Sequence, residues 1–81
     1  MAKVIGSAWS VAVLERLSTG DHRFVELAVL LGVSKRLLSV RLTELAEIDL
    51  LTKKALPVVP AQHVYRLTER GIRVLEFLQS L

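Results

Sequence analysis

The stretch Leu27-Ala28-Val29-Leu30-Leu31-Gly32-Val33-Ser34-Lys35-Arg36-Leu37-Leu38 constrains the fold of this chain more than any other. An apolar run stops at a glycine, and a serine two residues later opens a new helical pattern. Glycine tolerates the left-handed backbone that a tight turn requires. Serine at a helix start accepts a hydrogen bond from an otherwise orphaned backbone N–H. Two helices are therefore expected close to one turn, with Val33 anchoring that turn in the core.

The rest of the chain arranges itself around this turn. Phe24, Leu27, Leu30 and Leu31 give a short helix over 23–31 its apolar stripe. After the turn, Leu38, Leu42 and Leu45 form the apolar row of a helix over 34–48, which Ile48 extends. Its opposite row is Lys35, Arg36, Ser39, Val40 and Thr43. Upstream, Trp9, Ala12, Val13 and Leu17 predict a helix over 7–18, capped by Ser7 and stopped by Gly20, with Asp21-His22 as a polar connection. Downstream, 50–55 reads as a strand, and 56–61 as a loop because Pro57 and Pro60 supply no ladder donors. A second strand over 62–67 places His63, Tyr65 and Leu67 on one face. Thr68 then caps a last helix over 69–81, with Glu69 in the first turn, where the helix dipole favours a carboxylate. Its stripe is Ile72, Leu75, Leu78 and Leu81, widened by Val74 and Phe77; so broad an apolar surface packs on more than one neighbour. The expected fold is mainly α with a small β-hairpin, in the order helix, helix, turn, helix, strand, wing, strand, helix, as a single domain over 1–81.

Composition matters here mostly for what it excludes. A domain of 81 residues buries only about 60–65% of the surface its unfolded chain exposes, so it needs the aliphatic content that 52% hydrophobic residues supply. The absence of cysteine removes disulfides, thiolate metal sites and thiol chemistry. Residues 1–6 lack the uninterrupted apolar stretch of a signal peptide. The longest nearly apolar run, 24–33, is about half a membrane span and contains Glu26. His22 and His63 have no metal-ligand spacing with other donors, so no metal and no cofactor is expected. Nucleophilic catalysis needs a base placed beside an activated serine or cysteine, and no such motif is present; the glycines at 6, 20, 32 and 71 make no phosphate loop. Neither an enzyme nor a small-molecule effector site is expected. The lack of asparagine, with two glutamines and one methionine, matches a heat-adapted composition, and chance in a short chain matches it nearly as well.

Four segments carry a resemblance. Arg23-Phe24-Val25-Glu26-Leu27, Val33-Ser34, Leu42-Thr43-Glu44-Leu45 and Tyr65-Arg66-Leu67-Thr68-Glu69-Arg70-Gly71 resemble the winged helix-turn-helix transcriptional regulators of the HxlR type. Gly6-Ser7-Ala8-Trp9 and Pro57-Val58-Val59-Pro60 fit that pattern too, so the likeness runs over about residues 5–78. Leu67-Thr68-Glu69-Arg70-Gly71 also occurs in regulators of the MarR and PadR kinds. The resemblance implies a cytoplasmic homodimer bound to double-stranded operator DNA, with helix 34–48 in the major groove and wing 53–66 on the backbone or in the minor groove. It carries DNA contact to Ser34, Lys35, Arg36, Ser39, Val40 and Thr43, and to Lys53, Lys54 and Gln62 in the wing, with Arg66 at the margin. It carries the dimer interface to Trp9, Ile72, Leu75, Phe77, Leu78 and Leu81. The chain departs from the pattern by lacking a cysteine ahead of the first helix and by a turn one residue shorter before Val33. Asp49 also stands where a glycine is usual, and Val40 where a base is common.

Each of these residues has an alternative reading. Arg36 is the best base reader, since arginine pairs with guanine O6 and N7, and Lys35 the phosphate partner; both could instead form a solvated first turn. Ser39 and Thr43 contact DNA or are small polar surface residues. Arg41 pairs with Glu44 or Glu26, or lies in solvent. Lys53 and Lys54 clamp the DNA backbone or protect a sheet edge. Val58 and Val59 at the wing tip touch sugars, a neighbouring subunit, or nothing. Trp9 belongs to the core or to the dimer seam, and His63 is a structural or a pH-sensitive histidine. Val40 in the reading row, with Glu44, Glu47 and Asp49 at the helix end, keeps open a protein–protein interaction module without direct DNA binding.

Overall fold

The helix boundaries follow from where each stripe can be buried. In a computed structural model, residues 8–81 are described; Ser7 as a helix cap and the segment 1–6 lie outside them. The elements are α1 (Ala8–Ser18), β1 (His22–Arg23), α2 (Phe24–Leu31), α3 (Lys35–Glu47), β2 (Leu51–Leu56), β3 (Gln62–Leu67) and α4 (Glu69–Gln79). The strands form one antiparallel sheet in the order β1-β3-β2. It is one strand larger than the expected hairpin: His22, expected in a polar connection, and Arg23, expected to begin the second helix, pair instead with Tyr65 and Val64. No helix among the described residues is long and apolar enough to cross a membrane.

The glycine turn forms as the sequence pattern predicts. Gly32 adopts φ 63, ψ 37, and its N–H reaches the carbonyl of Ala28 at 3.1 Å. The Ser34 side chain accepts from the Leu37 N–H at 3.1 Å, capping α3. Leu38, Leu42 and Leu45 lie at or below 1% exposure, fastening α3 to the core by one row. Two stripes differ from expectation. In α1 the buried residues are Ser10, Val13, Leu14 and Leu17, while Trp9 and Ala12 sit at the flank, half-buried. In α2 the buried residues are Leu27 and Ala28, and Leu30 turns outward. In both helices the core takes a narrower arc than hydrophobicity alone suggests.

The joint between α3, β2 and α4 explains two sequence features. Asp49 holds φ 61, the left-handed conformation that makes glycine the usual residue there. This lets the Leu50 N–H return to the Leu45 carbonyl at 3.0 Å and buries Leu50 completely. Thr68 then ties α4 to the same turn: its N–H donates to the Leu50 carbonyl at 3.1 Å and its hydroxyl to the Asp49 carbonyl at 2.6 Å. The same hydroxyl oxygen accepts from the Gly71 N–H at 2.9 Å. Gly71 is required by close approach: a Cβ there would overlap the Leu50 carbonyl oxygen. Since glycine relieves the left-handed penalty at Asp49, Asp49→Gly is expected to stabilise the domain by up to about 1 kcal/mol. A thermal melt would show this as a rise of up to roughly 8 °C; a fall would contradict a strained turn.

Candidate nucleic-acid interface

The side of α3 opposite the Leu38–Leu42–Leu45 row is open. Lys35, Arg36, Ser39, Val40 and Thr43 are all exposed, as is the cap Ser34. At about 100° per residue, Arg36, Val40, Thr43 and Glu47 fall within roughly 60° of one another and form its central stripe. Lys35 and Ser39 lie on one flank. Glu47 was not in the expected reading row, although its spacing from Thr43 could have placed it there. Val40 is 51% exposed, an aliphatic residue at the middle of the stripe. Lys35 and Arg36 make no ion pair among the described residues, whereas the Arg41 guanidinium meets Glu44 at 2.8 Å on the partly buried flank. Of the alternatives for Arg41, the pair with Glu44 is the one that forms.

The wing rises beside α3. In β2, Lys53 pairs with Tyr65 and Lys54 with Val64, so alternation sends the two lysines to opposite faces of the sheet. Lys53 lines a cleft of about 290 Å³ between α2, α3 and the wing, together with Arg23, Phe24, Ser39, Gln62 and His63. Lys54 lies on the far face with Asp21, Glu26 and Arg66. Sequence position groups the two lysines as one clamp, and strand geometry separates them. Val59 is fully exposed at the wing tip and Val58 is 45% exposed.

Arg66 is engaged elsewhere. Its Nε and Nη2 donate to the two Asp21 carboxylate oxygens at 3.0 and 2.9 Å, a fork joining β3 to the turn before β1. The Arg66 hydrogen bond, aided by the charges of Arg66, His22 and Lys54, holds the Asp21 carboxyl below the usual carboxylate range. The same bond raises the Arg66 guanidinium. Both partners are well exposed, so the pair orients Arg66 more than it stabilises the fold. Tyr65, on the face toward α3, is pushed up by burial.

The residues expected at a dimer surface divide. Leu75 is 4% exposed and belongs to this chain's own core, because Gly71, Leu75 and their neighbours form the face of α4 that meets α1 and the β-sheet. Phe77 and Leu81 stay open at 64% and 87%, with Val74, Leu78 and Trp9 half-buried. Ile72 is 47% exposed, but five positions before Phe77 it projects from a different flank, about 140° around the helix. No group of three or more histidine, cysteine, aspartate or glutamate side chains that could hold a metal occurs among the described residues.

An exposed capped helix after a glycine turn, flanked by a two-stranded wing, defines a winged helix-turn-helix domain. The chain belongs to the HxlR-like helix-turn-helix family, whose model matches residues 4–81. It is 37% identical over 79 residues to the regulatory protein MalR of Fusobacterium mortiferum, covering 95% of this chain and 74% of MalR. It is 38% identical over 80 residues to the HTH-type transcriptional regulator YtfH of Escherichia coli, covering 98% of this chain and 64% of YtfH. The solved structure of the transcriptional regulator ytfH from Salmonella typhimurium superposes with a TM-score of 0.90 at 34% identity, over 98% of this chain and 71% of that one. The family is one of helix-turn-helix transcriptional regulators.

Proposed function

We propose that this chain binds double-stranded DNA sequence-specifically as a homodimer and regulates transcription in the cytoplasm. The observation that carries the reading is the stripe of α3: a capped helix whose exposed face begins with Lys35 and Arg36, which form no ion pair among the described residues, and continues through Val40 and Thr43. Inserted in a major groove, the helix sets Arg36 against a guanine edge and Val40 against a thymine methyl. Ser34 and Lys35 at its start face the phosphates, Ser39 turns toward the wing, and Thr43 donates to a base or phosphate. Lys53 and Gln62 reach the backbone from the wing, while Lys54, on the other face, contributes less. Trp9, Phe77, Leu78 and Leu81 form the dimer seam. Two α3 helices related by a twofold axis would meet successive major grooves about 34 Å apart, so the operator is an inverted repeat.

The test is selection of duplexes from a random pool, followed by anisotropy titrations of the selected site. Arg36→Ala should weaken specific binding by about 1–3 kcal/mol and relax one base position in a repeat of the selection. Lys53→Ala should weaken all sequences alike and flatten the salt slope by about one unit, with Lys54→Ala closer to the parent. If Arg36→Ala binds and selects as the parent does, the reading of α3 fails. The heat-adapted composition is tested by the melting temperature, which should lie above the usual mesophile range of about 45–65 °C.

A further inference from the structure

Two exposed apolar surfaces lie outside both the reading stripe of α3 and the proposed dimer seam. The first is the outer side of α2. Its inner side buries Leu27 and Ala28, with Phe24 and Leu31 packed at the flanks. The outer side is Val25, Glu26, Val29 and Leu30, which at about 100° per residue span roughly 140° of the helix. Val25, Val29 and Leu30 are all exposed, Val29 to 75%. Glu26, the one charged residue among them, already accepts from the Arg23 backbone N–H at 2.8 Å. A helix that is apolar all round is normally one that is covered all round. The second surface is the wing tip. Residues 55–62 carry no charge, so the exposed pair Val58–Val59 brings no cation to a phosphate. Pro57 and Pro60 fix φ beside the pair, and the Val58 N–H donates to the Leu56 carbonyl at 2.8 Å, so the tip surrenders little conformational freedom on docking.

We infer that the wing tip of one copy of this chain seats on the outer side of α2 in a neighbouring copy, and the neighbour's tip on the first copy's α2, when two dimers occupy adjacent operators. The inference rests on the DNA-binding reading and assigns Val58 and Val59 to a neighbouring subunit rather than to sugars. The cover that α2 lacks is thus present in the chain itself, as an uncharged projection meeting an aliphatic face. The two surfaces also open on one side: Val25 lines the cleft beside α3 together with Ala61 and Gln62, at the foot of the tip. A twofold exchange requires that placement, since each copy presents both surfaces to the same partner. Phe77, Leu78 and Leu81 border neither the cleft nor the α2 face, so the dimer seam leaves both open. The contact is small. A stable interface draws about 20–30 residues from each side, several times what a wing tip and one face of a short helix supply. Free dimers therefore stay apart, and the contact forms where DNA holds two of them at high effective concentration. Its result is cooperative filling of adjacent operators.

The experiment titrates the full chain, Val59→Asp and Val29→Asp on duplexes carrying one selected operator or two, the two separated by successive whole helical turns of about 10.5 bp. At one spacing the parent should fill the pair about tenfold more tightly than two independent sites, within the usual range for coupled sites. An apolar contact is not screened, so that factor should persist from about 50 to about 200 mM salt while the affinities themselves fall. Each variant should bind the single operator as the parent does and lose the tenfold factor, because a carboxylate harmless on the exposed surface enters an apolar contact. The chain has no cysteine, which permits a direct readout of the pairing. Mixed Val29→Cys and Val59→Cys proteins should form a disulfide between positions 29 and 59 on the two-operator duplex and not on the single one. Cooperativity that survives both aspartate variants would overturn the inference, as would disulfides joining only like positions. Weaker binding of Val59→Asp to the single operator would also overturn it, by putting the tip on DNA. The failures are distinguishable: a parent chain that binds no duplex at low salt defeats the DNA-binding reading and the contact with it. A parent that binds without cooperativity at every spacing defeats only the contact.

Discussion

Gly71→Ala is expected to destabilise the domain by about 2–3 kcal/mol, the upper part of the range for overpacking, because the new methyl group meets a backbone carbonyl rather than a side chain that can turn away. The obstacle is the Leu50 oxygen, which is itself held by the Thr68 N–H. To admit the methyl, α4 must retreat from the turn that joins α3 to β2, loosening the Thr68 hydroxyl from Asp49 and Leu75 from the core. A domain of this size has a total stability of about 4–12 kcal/mol, so the loss is a large fraction. Thermal unfolding followed by circular dichroism should show the midpoint falling by roughly 10–20 °C. A melt like the parent's would mean that α4 does not sit this close to Leu50.

Phe77→Asp should abolish the dimer while leaving the folded protomer intact. Phe77 is 64% exposed in the single chain, so its replacement removes little from the core, and surface changes of this kind usually cost within about 0.5 kcal/mol. In the proposed dimer seam a buried carboxylate would have no partner among Trp9, Leu78 and Leu81 and would carry the cost of an unpaired charge. Loss of the dimer also removes the linkage between half-sites, which is worth about 10²–10⁴ in affinity for an inverted repeat. Sedimentation velocity should give a monomer, and the affinity for the full repeat should fall to that for one half-site. A Phe77→Asp protein that stays dimeric and binds the repeat normally would place the seam elsewhere.

What the sequence discloses is what repeats at short range. The Leu38–Leu42–Leu45 row, the Gly32 turn and the Ser34 and Thr68 caps are legible because helix period and cap chemistry act within a few residues. The third strand is not, since His22-Arg23 is too short to show alternation and forms only because β3 offers it an edge. The fork between Arg66 and Asp21 spans 45 positions, so nothing local announces it. Gly71 looks like a scattered glycine until Leu50 is brought against it. Leu75 and Phe77 have similar hydropathy, and only the direction from which α1 and the β-sheet approach decides that one is core and the other surface. The same holds for the candidate site. The α3 stripe follows from periodicity, but the opposite faces of Lys53 and Lys54 need the β2–β3 register, and Arg23 joins the cleft only through tertiary packing.

The central claim is that the open face of α3 and the wing beside it bind duplex DNA. The most direct measurement is a titration of the full chain against random-sequence duplex at about 50 and about 200 mM salt. Binding at the lower salt that weakens steeply at the higher, with a linear log–log slope of several phosphate contacts, is the predicted result. No binding at the lower salt would contradict it and leave the exposed face of α3 as a surface for a protein partner.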